Sequence, residues 1–320
     1  MADVIVNTPY DDVYKTLYTQ CDELVLPLLN EVFGEHYTGK EKIIRRETES
    51  YETGDDGSQD KREVDSHMEV HGERVIKYHM ECESSKSGDV TVKMFRYGSR
   101  IAIEDSEIVD GELHVRFPNV AVIFLRKRSS TPEVIKIHVE MPTGENVIYP
   151  VRTLKVLDYD IDEIFEKRLY FLIPFYIFNY ENQLQDIEAA PEKLQELQDF
   201  YVEMIKRLEK CTDENDISAI SYNALRGLSR KVMENLAYKQ ENVRKGLGDV
   251  MGGKVLDLEV FKIRDEGIEI GEERGIEKGI EKGQNILVDT VNRLRGGETV
   301  ENIIKSGVDM HTIELAKTIR

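Results

Sequence analysis

The chain has 320 residues, with 43 basic and 62 acidic side chains and a formal net charge of −19. That length can bury a sizeable core and accommodates one to three domains. The acidic balance excludes a nucleic-acid binder that works through a broad basic surface, while leaving room for a local basic groove.

The start, MADVIVNTPYDD, has neither a basic opening nor a long apolar core, so no signal peptide is expected. From Tyr10 to Phe33 the spacing of Val13, Leu17, Cys21, Leu24, Leu28 and Val32 predicts a helix, with Gly34 as its stop. Residues 39–61 are polar and acidic, and Gly54, Asp55, Asp56 and Gly57 mark a turn or loop. Strand-like segments follow at Glu63–Val70, Arg74–Glu83, Glu112–Phe117, Ala121–Leu125, Glu133–Val139 and Asn146–Val151. Between the second and third of them, Asp89–Ile103 has helical spacing, with Val92, Phe95, Ser99 and Ile103 as its predicted core face. This order of elements indicates an α/β or α+β domain. From Ile161 the pattern is helical. Ile161–Asn179 reads as one element, and Pro191 opens another whose apolar face carries Leu194, Leu197, Phe200, Tyr201, Met204, Ile205 and Leu208. The longest apolar run, Leu169–Phe178, is about half of a membrane span and contains Pro174. It predicts a core helix with a kink or break, and no membrane partner. The three cysteines, Cys21, Cys82 and Cys211, are far apart and form no CxxC. Reduced, partly buried thiols in a cytoplasmic protein are expected, rather than a disulfide frame or a zinc site.

The tail repeats glycine every four residues at Gly267, Gly271, Gly275, Gly279 and Gly283. Such a period nearly matches the helical turn, yet each mid-helix glycine costs roughly 1 kcal/mol relative to alanine. The stripe reads either as a close helix-to-helix contact or as a low-complexity, partly helical linker. Leu287–Leu294 then resumes a helical pattern that Gly296 and Gly297 end. Thr299–Ile304 and Asp309–Ile319 predict two short helices, a helical hairpin rather than a DNA-reading helix-turn-helix. The expected division is 1–180, 181–262 and 263–320.

The residues with most chemistry lie between Arg62 and Tyr97. Asp65 falls in one predicted strand, and Glu81 and Glu83 in the next. Side chains two apart on a strand share a face, so Glu81 and Glu83 converge on what Asp65 faces if the strands pair. Clustered carboxylates mean a hard divalent cation, a shared proton, or a solvated face. His67, Glu69 and His71 share the Asp65 face of a regular strand; solvent-facing residues are expected there rather than a transition-metal site. His79 is given no role, and Ser84 and Ser85 lack a His/Asp partner for nucleophilic catalysis.

These residues resemble the PD-(D/E)XK nuclease superfamily, and most closely its bacterial recombination-promoting nuclease and transposase-like branch. Asp11, Tyr14 and Lys15 stand at the positions of an Asp-x-x-Phe-Lys helix motif, with Tyr in place of Phe. Asp65 matches the strand Asp, and Glu81, Cys82, Glu83 and Ser84 match a following Glu-x-Gln-Ser. Lys93, Met94, Phe95, Arg96 and Tyr97 stand in the helix that follows, and FEKRLYFLIPFYIFNYE and the glycine-repeat tail are also similar to this branch. The resemblance implies an α/β, restriction-endonuclease-like core, a mixed central sheet flanked by helices, followed by an all-helical C-terminal region. It implies Asp65 and Glu81 as ligands of Mg²⁺, with Mn²⁺ as a substitute, and Asp11 and Lys15 as accessory residues. The third motif residue is Lys in the superfamily and Gln in this branch; this chain has Glu83, which could ligate metal, act as a base, or mark lost activity. Lys93, or the less constrained Lys86, would supply the missing cation. The implied activity is Mg²⁺-dependent hydrolysis of DNA phosphodiester bonds, linked to recombination or mobile elements, by a homodimer formed through the C-terminal helices. The alternative is a catalytically weakened member acting as an oligomerising or DNA-associated interaction module, favoured by Glu83 and the net charge of −19.

Overall fold

Two helices open the chain, α1 (Pro9–Gln20) and α2 (Asp22–Phe33), where the apolar spacing predicted one. Cys21 adopts non-helical φ/ψ values of −131° and 71° between them, yet its side chain stays buried. The apolar positions therefore run in register through the break, which is why periodicity alone misses it. Gly34 closes α2 in the left-handed region at φ 72°, donating its N–H to the Asn30 carbonyl, as expected of a helix-terminating glycine. The computed structural model describes residues 9–46, 49–53, 59–63, 66–84, 90–126, 131–252 and 286–318.

The polar stretch that read as a loop contributes strands. They are β1 (Lys42–Arg45) and an antiparallel pair, β2 (Glu49–Thr53) with β3 (Gln59–Glu63). The predicted strands follow as β4 (Ser66–His71) and β5 (Val75–Glu83), and helix α3 spans Val90–Glu104. A small hairpin, β6 (Glu107–Val109) with β7 (Glu112–His114), turns through Asp110 and Gly111 at φ 52° and 83°. Two consecutive positive φ values are the hallmark of a tight primed turn, and Asp-Gly is a sequence that supplies them. Then come β8 (Asn119–Phe124), β9 (Val134–Glu140) and β10 (Asn146–Lys155).

The main sheet has six strands in the order β1-β4-β5-β8-β10-β9. β4 lies antiparallel to β1 and β5, whereas β8 runs parallel to both β5 and β10. A parallel neighbour requires a crossover, and α3 provides it between β5 and β8. α3 covers one face, where its Val90 and Met94 pack with Val120, Val122 and Phe124 of β8 and Val151 of β10. α1 and α2 cover the other, where Tyr14 reaches Ser66 and Phe33 packs on Tyr78. The chain is thus α/β, with a mixed six-stranded central sheet and a helical C-terminal region.

The buried face of α3 differs from the predicted one. Val92 and Ile103 are 49% and 64% exposed, while Val90, Met94, Tyr97, Gly98 and Ile101 are buried. Gly98 belongs to the core because Tyr149 occupies the space a side chain would need: a Cβ there would lie 2.6 Å from the Tyr149 hydroxyl. Ile161–Asn179 is likewise not one helix. α4 (Ile161–Glu166) opens on an Asp160–Glu163 capping box and ends before Arg168, whose φ of 57° no α-helix accommodates. A 3-10 stretch then covers Tyr170–Gln183, and its residues Tyr170–Phe178 are all buried. A segment apolar on every side is core rather than an amphipathic surface helix. α5 (Leu184–Ala189), α6 (Pro191–Asp213), α7 (Ala219–Leu236) and α8 (Glu241–Val250) complete this unit, with Pro191 at the first turn of α6 as expected.

By internal contacts the chain separates into two units, Met1–Leu256 and Asp257–Arg320. In the second, α9 (residues 286–295), α10 (Val300–Lys305) and α11 (Met310–Thr318) share a core of Val291, Leu294, Ile303, Ile313 and Ala316. The glycine repeat lies outside the described residues.

Candidate active site

β5 is flanked by β4 and β8, so both its edges are paired, and its faces are covered by α3 on one side and by α1 and α2 on the other. Period-two alternation sends Tyr78, Met80 and Cys82 toward α1 and α2, and His79, Glu81 and Glu83 toward α3. Glu81 is only 1% exposed on this inner face. A carboxylate so deeply buried must be partnered. Lys93, the fourth residue of α3, brings its Nζ into hydrogen-bonding contact with Glu81 Oε2. Lys93 is 39% exposed and lies 5.8 Å from the Tyr97 ring centre, so the ammonium reaches in from the solvent side past an aromatic wall.

His79 approaches the same carboxylate from the other side. It is 0% exposed, and its Nε2 is 3.5 Å from Glu81 Oε1. Its Nδ1 lies 2.7 Å from the Ser66 carbonyl oxygen. A carbonyl only accepts, so Nδ1 carries the proton and the ring orientation is fixed. Tyr97 packs edge-on against the His79 ring, centroids 5.7 Å apart. Glu81 is therefore bonded by a lysine from the helix, while the His79 Nε2 of its own strand, 3.5 Å away, adds an ion pair only when the ring carries a proton on both nitrogens.

The start of β4 is tied to this arrangement. Ser66 is buried, its Oγ donates to the Met80 carbonyl at 2.8 Å, and it accepts from the Met80 N–H at 3.0 Å. The Tyr14 hydroxyl of α1 shares a further hydrogen bond with that Oγ at 3.2 Å, and the Tyr18 hydroxyl donates to the His67 carbonyl at 2.7 Å. Asp11 and Lys15, one turn apart on α1 and partly buried, flank Tyr14. Asp65 and Lys86 lie outside the described residues. Glu83 ends β5, partly buried, where its carbonyl accepts the Leu125 N–H at 3.1 Å. Just beyond, the Ser84 carbonyl accepts from Arg126, whose guanidinium also engages both carboxylate oxygens of Glu181 at 2.6–2.9 Å. This clamp fixes the end of β5 to that of β8.

Of the three residues expected to face solvent, His71 keeps a partly exposed side chain and the other two do not. His67 and Glu69 are buried on the α3 side, His67 opposite His79 in the β4–β5 register. Glu69 is met by Arg46 at 2.9 Å, by His71 at 3.1 Å and by Lys77 at 3.8 Å. Although the chain has an acidic surplus, local cations allow this strand carboxylate to sit in the interior. Burial pushes the His67 imidazole down to about 4, opposed by Asp105 and reinforced by His79.

Of the sequence-predicted residues, Glu81 and Lys93 meet directly, and Glu83 follows on the same strand face. His79 and Tyr97 were missed as members of the cluster. Their signals were present: His79 precedes Glu81 by two, the strand repeat, and Tyr97 follows Lys93 by four, about one helical turn. No family model, curated protein or solved structure matches the chain.

Proposed function

We propose that the protein is a Mg²⁺-dependent DNA endonuclease with a restriction-endonuclease-like core of the PD-(D/E)XK kind. The observation that carries this reading is the contact of Lys93 with Glu81 across the α3–β5 boundary. A phosphodiester-cleaving site of this type needs carboxylates beside a cation. Here Lys93 offers the cation that Glu83, in place of Lys or Gln, does not. The three antiparallel strands, crossover helix and parallel fourth strand support a core of the expected mixed-sheet form.

The donor chemistry fits a hard cation in kind. Glu81 and Glu83 supply carboxylate oxygens, which magnesium and manganese take. Among the described residues no group of three His, Cys, Asp or Glu side chains is placed to hold an ion. The ligand set therefore calls on Asp65, which precedes Ser66 in the chain, while Ser66 pairs with Met80 beside Glu81. When bound, the metal would lower the pKa of a coordinated water and offset negative charge on phosphorus. Lys93 would hold a positive charge against the same phosphoryl oxygens, and His79 and Tyr97 would fix the direction of Glu81. Asp11 and Lys15 of α1 would shape the approach.

A plasmid-nicking assay with Mg²⁺ or Mn²⁺ tests the reading. Cleavage by the wild type and its loss in Asp65→Ala and in Glu81→Gln is expected. An intact plasmid under every metal, or equal cutting by both variants, removes the nuclease reading. Homodimerisation through the C-terminal helices belongs to the same proposal, and an unchanged mass in solution after deletion of 265–320 would remove it.

A second reading has its own support. Glu81 already has Lys93 and His79 as partners, and position 83 carries a third negative charge rather than the expected Lys or Gln. A nuclease-fold protein that has become an oligomerising or DNA-associated interaction module would look like this. Glu83→Gln separates the two: gained cleavage marks a weakened native site, and lost cleavage makes Glu83 a participant. No helix among the described residues is long and apolar enough to cross a membrane.

A further inference from the structure

The outer face of α3 is a groove lined by Val92, Phe95, Arg96, Ser99, Arg100 and Ile103. It is the face the apolar spacing assigned to the core, and it is left uncovered by the rest of the described chain. Beside it stands Phe117, 46% exposed, its ring 6.4 Å from that of Phe95 and inclined by only 19°. The groove's own charged side chains are Arg96, Arg100 and Glu104, a balance opposite in sign to the chain's net charge of −19, and Lys93 stands at its inner edge on Glu81.

We propose that this groove seats one strand of single-stranded nucleic acid, with Arg96 and Arg100 on its phosphates and the Phe95–Phe117 pair against a base. The proposal rests on the phosphodiester reading of the Glu81–Lys93 site and names the path by which the strand reaches it. Lys93, Arg96 and Arg100 follow one another at spacings of three and four, so they form one row along the helix. At 1.5 Å per residue the row covers about 10 Å, roughly the axial rise of three nucleotide steps along one strand. Its inner end is Lys93, which touches Glu81. The far end is bounded by Glu104, which engages Arg100 at 2.6 Å until a phosphate takes its place. The cationic path therefore has a direction, toward the carboxylate site. A row of cations beside exposed aromatic rings is the recognition chemistry of a single strand, whose unpaired bases can stack. Duplex offers phosphates but keeps its bases from the rings.

The test uses the full chain without divalent metal, measuring anisotropy of labelled oligothymidine, and of a duplex for comparison, across a salt series. The wild type is expected to bind the single strand more tightly than the duplex. Arg96→Ala should weaken binding and lower the salt slope by about 0.7 for the one lost phosphate contact. Phe117→Ala should weaken it by about five- to a hundredfold, and Phe117→Tyr, which keeps a stacking ring, should restore it. Melting curves matching the wild type establish that the variants fold. Absence of single-strand binding, preference for duplex, or unchanged affinity in both Arg96→Ala and Phe117→Ala would overturn the proposal. So would self-association that Phe117→Ala abolishes in a chain that binds no strand, since the face would then belong to a second copy. The two readings fail separately. Strand binding through Arg96 without metal-dependent cutting keeps the groove and loses the nuclease; cutting abolished by Glu81→Gln but indifferent to Arg96 and Phe117 keeps the nuclease and loses the groove.

Discussion

Replacing Lys93 by alanine withdraws the cation from a carboxylate that is almost wholly out of water, and the cost follows from the asymmetry of the pair. Removing one partner of a fully buried ion pair costs about 3–5 kcal/mol, because the other charge is left uncompensated. Glu81 meets that condition at 1% exposed, but Lys93 at 39% exposed does not, so solvent can reach the vacated position and screen the carboxylate. His79 also remains 3.5 Å from the other oxygen. These two corrections bring the expected loss for Lys93→Ala to about 2 kcal/mol. Glu81→Gln removes the charge while keeping a polar group, so it should cost about 1 kcal/mol. In the double variant the lysine has no carboxylate to lose, and the cycle should return a coupling of about 1–2 kcal/mol. The chain has no tryptophan and 15 tyrosines. Urea unfolding is therefore best followed by tyrosine emission together with far-ultraviolet circular dichroism. With a slope of about 3 kcal/mol per molar urea, the Lys93→Ala midpoint should fall by about 0.7 M. A midpoint within the scatter of the wild type, or a coupling near zero, would refute the claim that Lys93 neutralises Glu81 in the folded protein.

Three further outcomes follow from the same packing. The native state resists protonating His67, whereas the unfolded chain accepts the proton near pH 6.5. Stability is thus fully present above about pH 6.5 and falls toward the native value of about 4, by about 3 kcal/mol; denaturant midpoints at pH 7 and 4.5 should differ less in His67→Gln than in the wild type, and equal declines would discard this cause. Gly98→Ala should destabilise by about 1–2 kcal/mol despite alanine's better helix propensity, because the new methyl meets a Tyr149 ring already held by its bond to the Pro118 carbonyl; a thermal midpoint raised by the substitution would show that the ring moves freely. Ser66→Ala deprives the Met80 N–H of its acceptor and the Tyr14 hydroxyl of its buried partner, and should cost about 2 kcal/mol in thermal or urea unfolding, whereas a neutral result would mean that α1 is not anchored to β4 through this hydroxyl.

How far the sequence reveals this structure depends on whether polar or apolar contacts decide each element. β4, β5, β8, β9, β10 and α3 were legible because each carries an apolar run or an apolar repeat in its own sequence. β1 to β3 were not. Within β1 only Ile43 is buried, and an edge strand paired on one side needs little apolar sequence. The face of α3 was misread because two arcs compete on that helix. Val92, Phe95 and Ile103 are the more hydrophobic set, but the buried arc includes Gly98, chosen by the bulk of Tyr149 on β10. No local count of hydrophobicity contains that information. The candidate site shows the same division. Glu81 and Glu83 follow from the strand repeat, while the meeting of Lys93 with Glu81, twelve positions apart, depends on how α3 crosses the sheet. His79 shares a strand face with Glu81 by the same repeat, but its contacts with Ser66 of β4 and Tyr97 of α3 belong to the tertiary fold and leave no local trace.

The lysine and position 83 carry different weight in deciding what the site does. A carboxylate at the depth of Glu81 requires a cation for the fold to be stable, whatever chemistry the protein performs. Lys93 and His79 would therefore be kept in a nuclease and in a descendant that has lost the reaction. Loss of activity in Lys93→Ala alone thus mixes the two causes, and its stability cost must be measured beside it. Glu83 is placed differently. It is only partly buried at the end of the strand, and the backbone there is held by the Leu125 N–H and by the Arg126 clamp on the next residue. A Glu83→Gln change leaves both of those backbone contacts in place, so a change in cleavage without a change in unfolding would report on chemistry. Unfolding of Glu83→Gln measured beside its cleavage thus decides whether this residue acts in the proposed reaction or in the fold.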